Sequence, residues 1–277
     1  MTTPGNSLSR APAVSARAEA PVRVPVVAVG SGKGGVGTST IAALLAATMA
    51  EQGHRVLLVD AGQRFGGLHH LLGVEPQGSL GQLRGEREPQ HLLVPVAERL
   101  ALFPAGIDDP ELRPTERRLL MRRVLSLYHD FDLVVMDAGS SAESLVTACA
   151  DGVTRLLAVT AGDRISLAAT YAVVKLLHDR VPGLRVDMIA NRVDQEHADR
   201  LHEHVNGASV RFLSRTTPFA GTVPDDPDFG SALAAGLGTA EASLGSTAAV
   251  AVRTIGERIL ADAVAPAPSL PRLLRKG

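Results

Sequence analysis

Residues 30–40, GSGKGGVGTST, are where chemistry is first expected. Glycines this dense, between an apolar run and an amphipathic segment, let successive backbone N–H groups converge on phosphate, and the following helix N-terminus adds partial positive charge. Gly32, Gly37 and Ser39 occupy the fixed positions of G-x-x-x-x-G-K-[ST], in which the hydroxyl serves Mg²⁺. Thr38 stands where the pattern has its lysine. A charge-assisted contact is worth ~1.5–3 kcal/mol, so this exchange is expected to weaken phosphate binding by about ten- to a hundredfold without abolishing it. Asp60 and Asp137 each end an apolar run, and ligands of open α/β sheets gather at the carboxyl ends of strands.

The flanking pattern supplies the elements that must position these residues. Apolar runs at 25–29, 55–60, 132–137, 155–160 and 184–191 read as strands, with shorter ones at 100–103 and 219–224. Between them, helical periodicity is predicted over 39–52, where Ile41, Leu44, Leu45, Thr48 and Met49 share a face, and over 115–128, 166–178, 194–204 and 247–262. Runs apolar on both faces, alternating with helices, imply an α/β fold: a doubly wound, mostly parallel sheet with helices on both faces. Residues 1–24 are expected to form a disordered arm and 263–277 a Pro-rich tail around one domain at 25–262.

Composition narrows the function. With 28 basic and 29 acidic residues among 277, the chain has no global field to attract nucleic acid or an anionic membrane. Cys149 is the only cysteine, which excludes an intramolecular disulfide and an all-cysteine metal site and fits a reducing cytoplasm. No continuous apolar leader and no apolar stretch of about 18 residues is seen, so neither secretion nor a membrane span is expected.

KGGVGTST (33–40) resembles the deviant Walker A motif K-G-G-x-G-K-[ST] of the MinD/ParA class of P-loop ATPases. VLLVDAGQRFGGLHHLLGV (56–74), TAGDRISLAATYAVVKLL (160–177) and RFLSRTTPFAGTVPDD (211–226) are similar to further segments of that class. GSLGQLRGE and LALFPAG follow as in its flagellar-regulator branch, the FlhG/FleN group. The resemblance spans about residues 26–262. It implies an ATP-binding regulator of flagellar number or placement that dimerises with nucleotide and Mg²⁺ and contacts a flagellar or polar protein. It implies, position by position, that Lys33 is the signature lysine reaching the partner's phosphates. The loop Gly32, Lys33, Gly34, Gly35, Val36, Gly37, Thr38, Ser39 and Thr40 would cradle them, with Ser39 and Asp137 serving Mg²⁺. Asp60 matches the first aspartate of switch I, Asn191 the adenine-reading asparagine, and Pro224 with Asp226 the loop over the base. Asn, Pro and Asp are also ordinary turn residues, and that reading stays open for these three.

Departures from the class concentrate in its chemistry. Besides Thr38, Gly62 replaces the water-positioning aspartate, a loss that typically costs about 10² to 10⁴ in rate. Hydrolysis is therefore expected to be weak or lost, with a pseudo-ATPase scaffold as the alternative. Lys33 folding back, or Arg64, could compensate for the missing charge. Arg113, Arg117, Arg118, Arg122 and Arg123 lie on one predicted helix and its approach. Without interleaved aromatics they read as a solvated face rather than a DNA surface, which leaves a ParA-like partition role as a second alternative. His197, His202 and His204 do not share a face as metal ligands would. The tail SLPRLLRKG could touch the inner membrane face weakly, although Pro271 opposes a stable helix.

Overall fold

The computed structural model describes residues 24–62, 67–104, 112–227, 231 and 244–264. The expected N-terminal arm apart from Val24, the expected tail beyond residue 264, and Arg64 lie outside the described residues. The sheet comprises β1 (Val26–Gly30), β2 (Val56–Asp60), β3 (Val94–Ala97), β4 (Leu100–Phe103), β5 (Leu133–Gly139), β6 (Arg155–Thr160), β7 (Arg185–Asn191) and β8 (Phe219–Val223). Their spatial order is β3-β4-β2-β5-β1-β6-β7-β8, and every pairing is parallel except the edge hairpin β3–β4. Strands this apolar must be covered on both sides. The helices that do so are α1 (Thr38–Glu51), α2 (Leu68–Leu72), α3 (Pro114–Val124), α4 (Ala142–Cys149), α5 (Arg164–Arg180), α6 (Gln195–Leu213) and α7 (Thr247–Val264).

On one face Val27 and Val29 meet Ile41 and Leu45 of α1 with Val252 and Ile255 of α7. The two helices approach so closely that a Cβ on Gly256 would come within 2.6 Å of the Met49 sulfur. On the other face Val26, Ala28 and Leu57 pack with Leu120 and Val124 of α3, Leu145 of α4 and Leu177 of α5. A smaller cluster joins β7 to α5 and α6 through Met188, Val174, Leu201 and Val205. The expected doubly wound architecture is the observed one. Boundaries differ in physically readable ways: the helix predicted over 115–128 gives way after Val124 to a 3-10 segment (Leu125–Asp130), and the helix predicted to stop at residue 204 continues to Leu213.

At the amino ends of β6 and β7 an ionic cluster, buried at Arg155 and Asp187 and open to solvent at Arg185 and Asp262, ties three elements. Arg155 donates to Asp262 of α7 at 2.6 Å and lies 3.6 Å from Asp187, while Arg185 bonds Asp187 at 2.9 Å and Asp262 at 3.2 Å. Two cations meet two anions there.

Candidate nucleotide site

The glycine loop leaves the sheet at Gly30 and reaches α1 under tight packing. A Cβ on Gly32 would lie 2.3 Å from the Ala169 carbonyl oxygen of α5, so the close approach of helix and loop admits only glycine. Gly35 (φ +80°) and Gly37 (φ +95°) take left-handed conformations that a side chain would strain. The Asn191 amide donates to the Val36 carbonyl at 2.7 Å and fixes the loop from the end of β7. α1 then starts without a side-chain cap: its N-cap is Gly37, and no acidic residue occupies its first turn. Main-chain donors at such a start need a partner, and an anion is the natural one.

Thr38 points away from that start. Its hydroxyl is buried and donates to Ser31 at 2.8 Å, and Ser31 in turn donates to the Lys33 carbonyl at 2.9 Å. The residue in the lysine's place therefore braces the loop from within. Sequence reasoning missed Ser31, whose only signal was a second small hydroxyl residue at the strand exit.

Asp60 and Asp137 stand side by side in the β2–β5 register, both almost wholly buried. Asp137 accepts from the Gly139 amide at 3.0 Å, and the Ser39 hydroxyl beside it draws its carboxyl down. Asp60 accepts from the Leu68 amide at 3.3 Å. Burial first, and then the neighbouring Asp137 charge, push Asp60 up to about 6. Burial likewise raises Asp137 against the pull of Ser39 and Gly139. Two desolvated carboxylates and a hydroxyl form an all-oxygen donor set of the kind Mg²⁺ takes, so the residues present fit that ion. Beside Asp60, a Cβ on Gly62 would meet, among the described residues, the Asp60 carboxylate at an ordinary 3.6 Å.

One arginine departs from the expected solvated face. Arg117 is 8% exposed and donates to the carbonyls of Ala61 at 3.2 Å and Gly62 at 2.8 Å, with its charge felt at Asp60. It shares the inward stripe of α3 with Leu120 and Val124, which is why it cannot be solvated. Arg118 and Arg122 both pair with Asp151, and Arg123 donates to the carbonyls of Gly85 and Arg87.

Lys33 bonds both oxygens of Asp163 at 3.1 and 3.2 Å and approaches the Ser166 hydroxyl at 3.4 Å. Asp163 also caps α5 by accepting from the amides of Ile165 and Ser166. The hydroxyl and amide of Ser166, and then Lys33, hold its carboxyl well below the usual range. On the other side of the loop, Thr40, Asn191, Pro224 and Asp226 line one cavity of about 420 Å³ together with Ile41, Leu44 and Arg192. Within it, Asp226 accepts from the Thr247 hydroxyl at 2.8 Å and the Ala248 amide at 3.1 Å, capping α7. The structure thus brings the nominated residues into three adjoining places: the loop, the carboxylate pair, and this cavity.

A phosphate-type loop at the switch between β1 and its neighbours, facing strand-end carboxylates, is the arrangement of the P-loop NTPase fold. Comparison with known proteins agrees: the chain belongs to the family described as CobQ/CobB/MinD/ParA nucleotide binding domain, matched over residues 27–239. It is 27% identical over 254 residues to the antiactivator FleN of Pseudomonas aeruginosa, covering 90% of both chains. It is also 27% identical over 173 residues to the flagellum site-determining protein YlxH of Helicobacter pylori, covering 61% of this chain and 58% of that one. Among solved structures, the septum site-determining protein MinD complexed with Mg-ADP from Pyrococcus horikoshii superposes with a TM-score of 0.70 at 22% identity, covering 85% of this chain and 95% of that one.

Proposed function

We propose that this chain is a nucleotide-dependent regulator that binds adenine nucleotide with Mg²⁺, dimerises in that state, and acts on flagellar number or placement with weak or absent hydrolysis. The observation that carries the reading is the uncapped start of α1 lying between a carboxylate–hydroxyl cluster and a cavity of a size for a base. Phosphates would rest on the amides of residues 34–39, the base would enter the cavity beside Asn191 and Pro224, and Ser39 with Asp137 would hold Mg²⁺. That ion, when bound, neutralises phosphate charge and the local surplus of carboxylates. Lys33 would leave Asp163 to reach a partner's phosphates. The flagellar assignment is supported by the likeness to FleN and YlxH. Weak turnover is supported by the inward Thr38 and by the absence of a carboxylate at Gly62. No membrane-crossing helix is found among the described residues, and the proposed place of action is the cytoplasm or the inner membrane surface.

Calorimetric titration with ATP and Mg²⁺ tests the reading. Binding at micromolar to sub-millimolar nucleotide is expected, together with a phosphate-release rate at background that rises in Thr38→Lys/Gly62→Asp. No heat at millimolar nucleotide would reject the nucleotide switch and leave a scaffold without one.

A further inference from the structure

Arg117 is the anomaly of the second core. On α3 it occupies the same stripe as Leu120 and Val124, where an apolar side chain would be expected. Desolvating a guanidinium costs several kcal/mol, and apolar replacements at buried charges are often neutral or stabilising, so stability alone does not call for arginine here. What the side chain does is grip two consecutive carbonyls, Ala61 and Gly62, directly after Asp60. The gripped turn is common to both carboxylate strands. The Ala61 amide donates to the Asp137 carbonyl at 3.0 Å, and the Gly62 Cα lies 3.7 Å from a Cβ built on Gly139. A shift that a cation or a terminal phosphate imposes on Asp60 or Asp137 therefore has a route to the atoms Arg117 holds, beside the routes through the Leu68 and Gly139 amides that these carboxylates also accept from.

The rest of α3 is fastened to distant segments. Glu116 bonds Arg84, Arg123 bonds the carbonyls of Gly85 and Arg87, and Arg118 with Arg122 bonds Asp151 beyond α4. A helix clamped at its core to the turn and at its flanks to two surface segments has the form of a lever.

We infer that Arg117 is a positioning residue that couples the Ala61–Gly62 turn to α3, so that occupancy of the nucleotide site alters α3 and the segments it holds. The inference rests on the nucleotide reading above. It fits residues with no contact to nucleotide, because coupling needs a packed element whose state both sites bias.

Amide hydrogen exchange on the full chain, with and without ATP and Mg²⁺, distinguishes coupling from bracing. In the wild type, exchange in residues 32–40 is expected to slow by about a hundredfold at nucleotide one hundred times its Kd, with a concurrent change in 112–124. Arg117→Met is expected to keep the response in 32–40 and lose the one in 112–124. Arg117→Lys, which retains a charged donor, is expected to restore part of it. A wild-type response confined to 32–40, or an α3 response that persists in Arg117→Met, would overturn the coupling and leave a static brace. Absence of protection in 32–40 itself would instead remove the nucleotide reading, and the coupling with it.

Discussion

The two ends of the sheet handle clustered charge in opposite ways. At the amino end, Arg155 and Arg185 face Asp187 and Asp262, two cations to two anions. Bonding to Arg155 holds the Asp262 carboxyl below its ordinary value. At the carboxyl end, Asp60 and Asp137 lie side by side with Arg117 as the nearby cation among the described residues, and both carboxyls are pushed up. The first cluster is complete in itself and joins β6 and β7 to α7. The second is in surplus of negative charge, and in an α/β sheet that is the end where ligands collect. The contrast separates a structural lock from the site proposed to take a cation.

The sharpest way to break this contrast is to remove one cation from the balanced cluster. Arg155→Met leaves buried Asp187 to Arg185 alone and frees half-exposed Asp262 from one of its two arginines, and it is expected to cost about 1–3 kcal/mol in a denaturant titration. A loss near zero would mean that the cluster is not a lock. The opposite sign is expected at the other end. Because the folded Asp60 carboxyl, at about 6, binds its proton more tightly than the ordinary value of 3.8, stability falls as pH rises through that window. Without divalent ions, Asp60→Asn is therefore expected to be about 2–3 kcal/mol more stable than the wild type at pH 7, and equal to it near pH 4. A pH-independent difference would show that hydrogen bonding rather than charge surplus sets the effect.

Two finer changes sharpen the site itself. Thr38→Lys gives up the bond to Ser31 but returns a cation to the loop, and calorimetry is expected to show ATP bound about ten- to a hundredfold more tightly. Unchanged affinity would mean that another cation already serves the phosphates. Asp163→Ser keeps a capping oxygen for α5 while releasing Lys33, and sedimentation in ATP is expected to show a tighter dimer, by no more than about fivefold because the pair is exposed. A weaker dimer would place Asp163 in the interface rather than in a latch.

The architecture was legible wherever burial on both faces left long apolar runs, as at residues 133–138 and 155–160, buried throughout. It was not legible where local chemistry opposed the outcome. The helix predicted over 194–204 continues through Asn206 and Gly207, residue types that often end helices, because Val205 and Ser209 continue its buried face and Ser209 bonds back to the Val205 carbonyl at 2.8 Å. Edge strand β3 carries Pro95, which hides a strand from propensity, and α4 follows a capping Ser141 in a segment with few long apolar side chains. In the site, the loop and its two aspartates were readable from spacing. Arg117 was not, since a run of arginines suggests a wet face; only its three- and seven-residue spacing to Leu120 and Val124 hinted at burial. The Ser31–Thr38 bond depends on a turn that no linear pattern encodes.

The central claim is that the surplus of buried carboxylate at the strand ends, together with the bare start of α1, forms a Mg²⁺–nucleotide site. Its most direct test is the thermal midpoint at pH 7 in millimolar ATP, with and without Mg²⁺, for the wild type and Asp137→Asn. The account predicts a rise in the wild type that requires both ATP and Mg²⁺ and disappears in Asp137→Asn. An unchanged wild-type midpoint, or an equal rise in chelator, would contradict it.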